Sequence, residues 1–213
     1  MKECMVFLHA SSVEISGGAV LFLGHSTAGK STISRLLGRH CRIIADDTVF
    51  LARDPQGIWM VADGKRRFVY EPLNASWEAM VTACSIHAEP IRLSGCMRIF
   101  KGEPLSARRL ESYMTARCLL DAVMEVDIQR KFTQHFDSAL PRTAQLDNSF
   151  RMRKAWFQDI SDMARRYPAW RLGYSKEIPA DSILMLVESL IRRAGQASAG
   201  NNGLTPFPND ATS

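Results

Sequence analysis

No run of eighteen apolar residues occurs anywhere in the 213 positions, so no segment has the length of an apolar membrane-crossing helix. The short apolar run Met5 to Leu8 follows one Lys and one Glu, and is too short for a secretory signal or an anchor. The five cysteines, Cys4, Cys41, Cys84, Cys96 and Cys118, form no C-x-x-C pair. Their odd number argues against a disulfide framework and for reduced thiols in a cytoplasmic protein. Cys84 and His87 have C-x-x-H spacing, with Cys96 further on. That is too few ligands for a zinc site, and buried thiols are expected instead. Aromatic residues make up only 8% of the chain and no aromatic-basic stripe exists, so nucleic acid is not an expected partner. There is no internal repeat.

What is present points elsewhere. The chain is 46% hydrophobic, enough for a sizeable core, and carries a net charge of +5. The basic residues are scattered over expected helix faces and could meet an acidic protein partner. One domain is expected over residues 1–194. Residues 195–213 are rich in Gly, Ser, Asn, Pro and Ala, and are expected to form a disordered tail.

The segment Gly24-His25-Ser26-Thr27-Ala28-Gly29-Lys30-Ser31-Thr32 fits G-x-x-x-x-G-K-[ST], the Walker A phosphate-binding P-loop. Ala19 to Leu23 before it reads as a buried strand, and Thr32 to Leu37 after it opens a helical pattern that Gly38 closes. Gly24 and Gly29 let the backbone curl and approach a ligand closely. The amides of residues 24–32 then converge at a helix N-terminus, where the partial positive charge favours an anion. Lys30 brings a full charge to the outer phosphates of ATP, and the Ser31 hydroxyl is suited to Mg²⁺.

Around this loop the pattern predicts a mixed sheet. Met5 to Ile15 reads as one strand, turning at Ser16-Gly17-Gly18 into Ala19–Leu23 as a hairpin. Cys41 to Asp47 is a strand ending in two carboxylates, and Thr48 to Tyr70 a meander with turns at residues 54–57 and 63–64. Ile91 to Phe100 is extended. Helices are expected over 106–124, 127–139 and 148–166, a strand over Trp170–Tyr174, and a last helix from Pro179 to about Arg193. The expected class is α/β, a mixed central sheet with flanking helices. A standard parallel P-loop sheet is the alternative, which the early hairpin argues against.

A P-loop alone does not choose between switch, motor and kinase. Asp46 and Asp47 narrow the choice, because the strand after a P-loop helix ends beside the phosphates. One carboxylate can hold Mg²⁺, and the other can take a proton from an attacking hydroxyl. Adjacent strand residues point to opposite faces, so both reach the site only if the strand ends or bends there.

Three blocks resemble the HPr kinase/phosphorylase family, and more closely the shorter kinase-like proteins related to it: Leu8 to Ile15 with its early histidine, the P-loop Gly24 to Thr32, and Ile44-Ala45-Asp46-Asp47. Their order and approximate spacing match over about residues 7–55. The resemblance implies a fold of the HPr kinase and PEP carboxykinase-like type, ATP and Mg²⁺ as cofactors, and a homo-oligomer. It also implies phosphate transfer to a hydroxyl, most simply a serine of a small protein or peptide. By that resemblance Asp47 is the general base, Asp46 lies near the metal with Ser31, Lys30 binds the β- and γ-phosphates, and His9 sits beside the aspartate pair. The Glu-x-Arg-Gly-x-Gly segment of the bifunctional members is absent, and Thr32 stands where they often carry glutamate. Neither phosphorolysis nor HPr as substrate is therefore implied. His25 within the loop is either simply exposed or a phosphate contact, and Arg66, Arg67 and Arg98 are candidate cations for the transferring group. A nucleotide-binding regulatory module with little or no transfer is the alternative. A GTPase switch is weaker, because no Asn-Lys-x-Asp guanine reader exists in the chain.

Overall fold

The computed structural model describes residues 5–64, 89–134, 154 and 156–200. Nine strands occur in these segments: β1 (Met5–His9), β2 (Ser11–Ile15), β3 (Gly18–Leu23), β4 (Ile43–Ala45), β5 (Thr48–Arg53), β6 (Trp59–Asp63), β7 (Ile91–Lys101), β8 (Ser106–Arg109) and β9 (Ala169–Tyr174). Helix α1 spans Lys30–Leu37 and α2 Ser112–Gln134, α3 covers 156–166, and α4 spans Ala180–Gly200.

The sheet is mixed. β3, β7 and β9 run parallel, while β2 pairs antiparallel with β3, and β8 antiparallel with β9. The 11-residue β7 is the spine: its first residues pair with β6 and the rest with β3 and β9. The expected single strand Met5–Ile15 is divided at Ala10, yet one register runs through the division. His9 opposes Thr48, Ser12 opposes Ala45, and between them the Ala10 amide donates to the Asp47 carbonyl at 3.2 Å. The strands therefore curl into a ring of neighbours, β1/β2 to β3 to β7 to β6 to β5 and back to β1.

Alternation along the strands builds two cores. Ala19, Leu21 and Leu23 face one side of β3, with Val6, Leu8, Val49, Leu51, Trp59 and Val61 from the neighbouring strands. Cys118, Leu119, Ala122 and Val123 of α2 and Ile160, Met163 and Ala164 of α3 cover them. Val20 and Phe22 face the other side, packed with Met97, Ile99, Leu172 and Tyr174 against Ile33 and Leu37 of α1 and Ile183 and Val187 of α4. The spacings of three and four in the helices are what a single apolar stripe requires. The result is a mixed α/β fold with helices on both faces, which puts the β3–α1 junction at the C-terminal ends of three parallel strands.

Three expectations about the elements are corrected. The stretch from Ser106 is first a strand: Ser106 to Arg109 pairs with Gly173 to Trp170, because a free sheet edge outweighs weak helical spacing. The two helices expected beyond it are one, Ser112–Gln134. The last helix does not stop near Arg193 but runs to Gly200, so residues 195–200 are helix rather than tail. Residues 201–213, Cys4, Cys84, His87, Arg66 and Arg67 lie outside the described residues. No described helix is long and apolar enough to cross a membrane.

Candidate functional site

The phosphate-loop sequence lies where its chemistry needs it, between the end of β3 and the start of α1. Thr27 and Gly29 take the left-handed conformation, at φ 72° and 97°, and the Ala28 amide closes a turn onto the His25 carbonyl at 3.0 Å. A Cβ at Gly24 would stand 2.8 Å from the Ala28 methyl, so the loop packs on itself only with glycine there. A Cβ at Gly29 would run into the Tyr174 hydroxyl and Lys101. That hydroxyl donates to the Gly29 carbonyl at 2.8 Å, clamping the loop to β9. Burial pushes the Tyr174 phenol up to about 12, so it stays a donor at neutral pH. Ser11 clamps the other side by donating to the Lys30 carbonyl at 3.1 Å. Gly29→Ala thus combines left-handed strain with overlap, and should lower stability by roughly 2 kcal/mol. Gly57→Ala, at φ 79° with open space around it, should cost about half as much. Urea midpoints of the two variants measure the difference.

Lys30 is buried and its ammonium donates to the carbonyls of Gly24 at 2.7 Å and His25 at 3.1 Å. Burial lowers its pKa, and Glu125, Asp47 and Asp46, in that order, work against the shift. Three carboxylates therefore act electrostatically on one buried ammonium. Ser31 and Thr32 are half-buried on the first turn of α1, with Thr32 hydrogen-bonded to Tyr174. Ser26, Thr27 and His25 are exposed.

The aspartate pair sits where the chain bends. β4 ends at Ala45, β5 begins at Thr48, and Asp47 between them has φ 87°. The strand thus bends at the pair, the condition under which both carboxylates could reach one site. Asp is among the few residues that tolerate the left-handed region. Asp47 is 54% exposed at its side chain, open to an incoming molecule. Asp46 differs: its Oδ1 is buried with no hydrogen-bond partner. An orphaned carboxylate oxygen within electrostatic reach of the buried Lys30 ammonium is a donor that fits a hard cation such as Mg²⁺. No group of three or more His, Cys, Asp or Glu side chains among the described residues forms a self-sufficient metal cage. Mg²⁺ is reluctant to shed its water and is ordinarily held by one or two protein oxygens plus phosphate, so it needs no such cage.

His9 ends β1 beside the pair. Its Nδ1 lies 3.4 Å from Asp47 Oδ1 and its Nε2 3.6 Å from Glu125 Oε2. The Nδ1 contact is not aligned as a hydrogen bond. Burial, then the Lys30 charge, lower the His9 pKa, and Glu125 and Asp47 oppose them. His9 is thus neutral at pH 7. Above its ordinary value of 6.5 both folded and unfolded states hold it neutral. As pH falls below that value the unfolded chain takes the proton first, and stability is lost. Wild type should therefore lose more stability than His9→Gln between about pH 6.5 and 5, read as thermal midpoints across pH.

Two site residues escaped the sequence reading. Glu125 on α2 faces His9 and also His25, whose Nδ1 is 3.8 Å from Oε1. Tyr174 lies at the far end of the chain from the loop it clamps. Neither sits in a motif, because only the packing of α2 and β9 on the sheet brings them in. Arg98, opposite Leu23 across the parallel β3–β7 ladder, lines a small cavity with Gly24, His25, Cys118 and Glu125. Of the three candidate cations, Arg98 alone is among the described residues.

No family model matches the chain, and no curated protein does. Among solved structures, the chain is similar to the HPr(Ser) kinase/phosphatase from Coxiella burnetii, covering 92% of this chain and 94% of that one at 11% identity with a TM-score of 0.35.

Proposed function

We propose that this chain is an ATP- and Mg²⁺-dependent phosphotransferase of the HPr kinase-like type, passing the γ-phosphate to a hydroxyl of a protein or peptide. The observation that carries this reading is the gathering of Lys30, Asp46, Asp47 and His9 at one loop, from the first turn of α1, the β4–β5 bend and the end of β1.

Each residue has a role its surroundings favour. The amides of 24–32 and Lys30 bind the phosphates and offset charge on the transferring group. Ser31 and Asp46 would hold Mg²⁺, which when bound neutralises charge on the β- and γ-oxygens. Asp47, exposed and held at the bend, accepts the proton of the attacking hydroxyl. Neutral His9 lies against Asp47 and adds no positive charge that would weaken it as a base. Arg98 stands as the cation at the loop's open side.

The test is incubation of purified protein with Mg²⁺ and γ-labelled ATP, with and without cell extract, beside Lys30→Ala and Asp47→Asn. Label on a protein or peptide that both substitutions remove supports the reading. Nucleotide binding with no transfer in any sample would overturn it and leave a nucleotide-binding module.

A further inference from the structure

The phosphate loop opens toward an arrangement that nucleotide binding does not require. In register across three neighbouring strands, Arg98 of β7 opposes Arg171 of β9, and Arg171 opposes Arg108 of β8. Residues paired in this way share a face of the sheet, so three guanidinium groups form a row about 10 Å long, two strand spacings. The alternation agrees: Leu172 and Ala107, beside these arginines in sequence, pack into the opposite core. Like charges directly opposite each other destabilise a sheet.

The repulsion is offset unevenly along the row. Arg171 pairs with Glu103 and stacks on Phe100 at 4.0 Å. Arg98 lies over the same ring at 5.3 Å and hydrogen-bonds Cys118. Arg108 is exposed and has no ion pair among the described residues. The inner end of the row is the cavity of Gly24, His25 and Arg98, where Glu125 and Asp121 lie. The row therefore runs from the phosphate loop to open surface, with its positive charge least compensated at the outer end.

We infer that the row Arg98–Arg171–Arg108 is the docking surface for an acidic segment of the acceptor polypeptide, with glutamate or aspartate side chains adjoining the hydroxyl that is phosphorylated. Charge complementarity selects the occupant. About 10 Å is also the reach of three residues of extended chain, which sets two or three carboxylates against the row. Phe100 between Arg98 and Arg171 holds both guanidinium planes and limits their loss of freedom on binding. The identification of the occupant as the acceptor rests on the phosphotransferase reading; the affinity for an acidic segment does not.

The experiment uses the full chain and two fluorescein-labelled peptides, a serine followed by six glutamates and the same serine followed by six glutamines. Fluorescence anisotropy should show the glutamate peptide binding at least about tenfold more tightly, with the preference shrinking at high salt. Arg108→Glu, a surface change, should remove that preference, while Arg193→Glu on α4, an equal change of charge elsewhere, should keep it. Equal affinity for the two peptides, or an Arg108→Glu variant that binds as wild type does, would overturn the inference. Phosphate incorporation separates the two proposals. Binding that depends on Arg108 without any transfer from ATP would sustain the surface and sink the phosphotransferase. Transfer to both peptides with the same KM would sink the surface and sustain the phosphotransferase.

Discussion

Asp47→Asn should reduce phosphate transfer by about a thousandfold while ATP affinity changes by less than about threefold. The amide cannot accept the hydroxyl proton, and a general base contributes roughly 10²–10⁴ in rate, or about 3–5 kcal/mol of barrier. Asparagine is nearly the same size as aspartate and tolerates the left-handed conformation that residue 47 adopts at φ 87°. The bend between β4 and β5 should therefore survive, and so should the Ala10 amide's bond to the residue 47 carbonyl. Single-turnover transfer measured beside nucleotide titration separates the two quantities. A variant that transfers at the wild-type rate would remove Asp47 from the chemistry and move the base to another carboxylate, of which Glu125 is the nearest to His9.

The second large effect is expected from Lys30→Met. Charge-assisted hydrogen bonds contribute about 1.5–3 kcal/mol each, so loss of the ammonium should weaken ATP binding about tenfold or more and cut transfer by at least about a hundredfold. A less obvious result should accompany this. Lys30 is one of the two causes that hold the His9 pKa down, against the pull of Glu125 and Asp47. Without Lys30, His9 faces those two carboxylates and no opposing charge, and its pKa should rise. Imidazole proton shifts followed by NMR across pH would report it directly. A His9 titration unchanged in Lys30→Met would mean that the two groups do not share one electrostatic environment.

The parts of this molecule that could be read from sequence are those decided over short distances along the chain. The Walker A segment, its strand and its helix are local, and Ser16-Gly17 turns β2 into β3 as the turn residues require. Both carboxylates can reach one site only if the chain bends at Asp46-Asp47, and it does bend there. What could not be read was decided by partners far away in sequence. Ser106–Arg109 has spacing compatible with a helix, but β9, more than sixty residues later, supplies an edge that makes it a strand. Glu125 occupies an unremarkable position in a long helix until that helix packs across β1 and β3. The division at Ala10 has no composition signal, because it results from the curl of the sheet. The arginine row is invisible in sequence for the same reason: residues 98, 108 and 171 become neighbours only through two ladders.

The position of β3 in the sheet has a consequence for synthesis. This strand carries the phosphate loop and is hydrogen-bonded on both sides, by β2 on one and β7 on the other. β2 emerges from the ribosome just before it, but β7 begins only at Ile91. Until then β3 presents one unpaired edge of apolar residues, Ala19 to Leu23, the kind of edge that pairs with other chains. A nascent chain is therefore most prone to aggregation between completion of β3 and arrival of β7. Fragments ending at Gly64 should be insoluble, and ribosome-stalled chains of that length should depend on chaperones more than chains extended past Lys101.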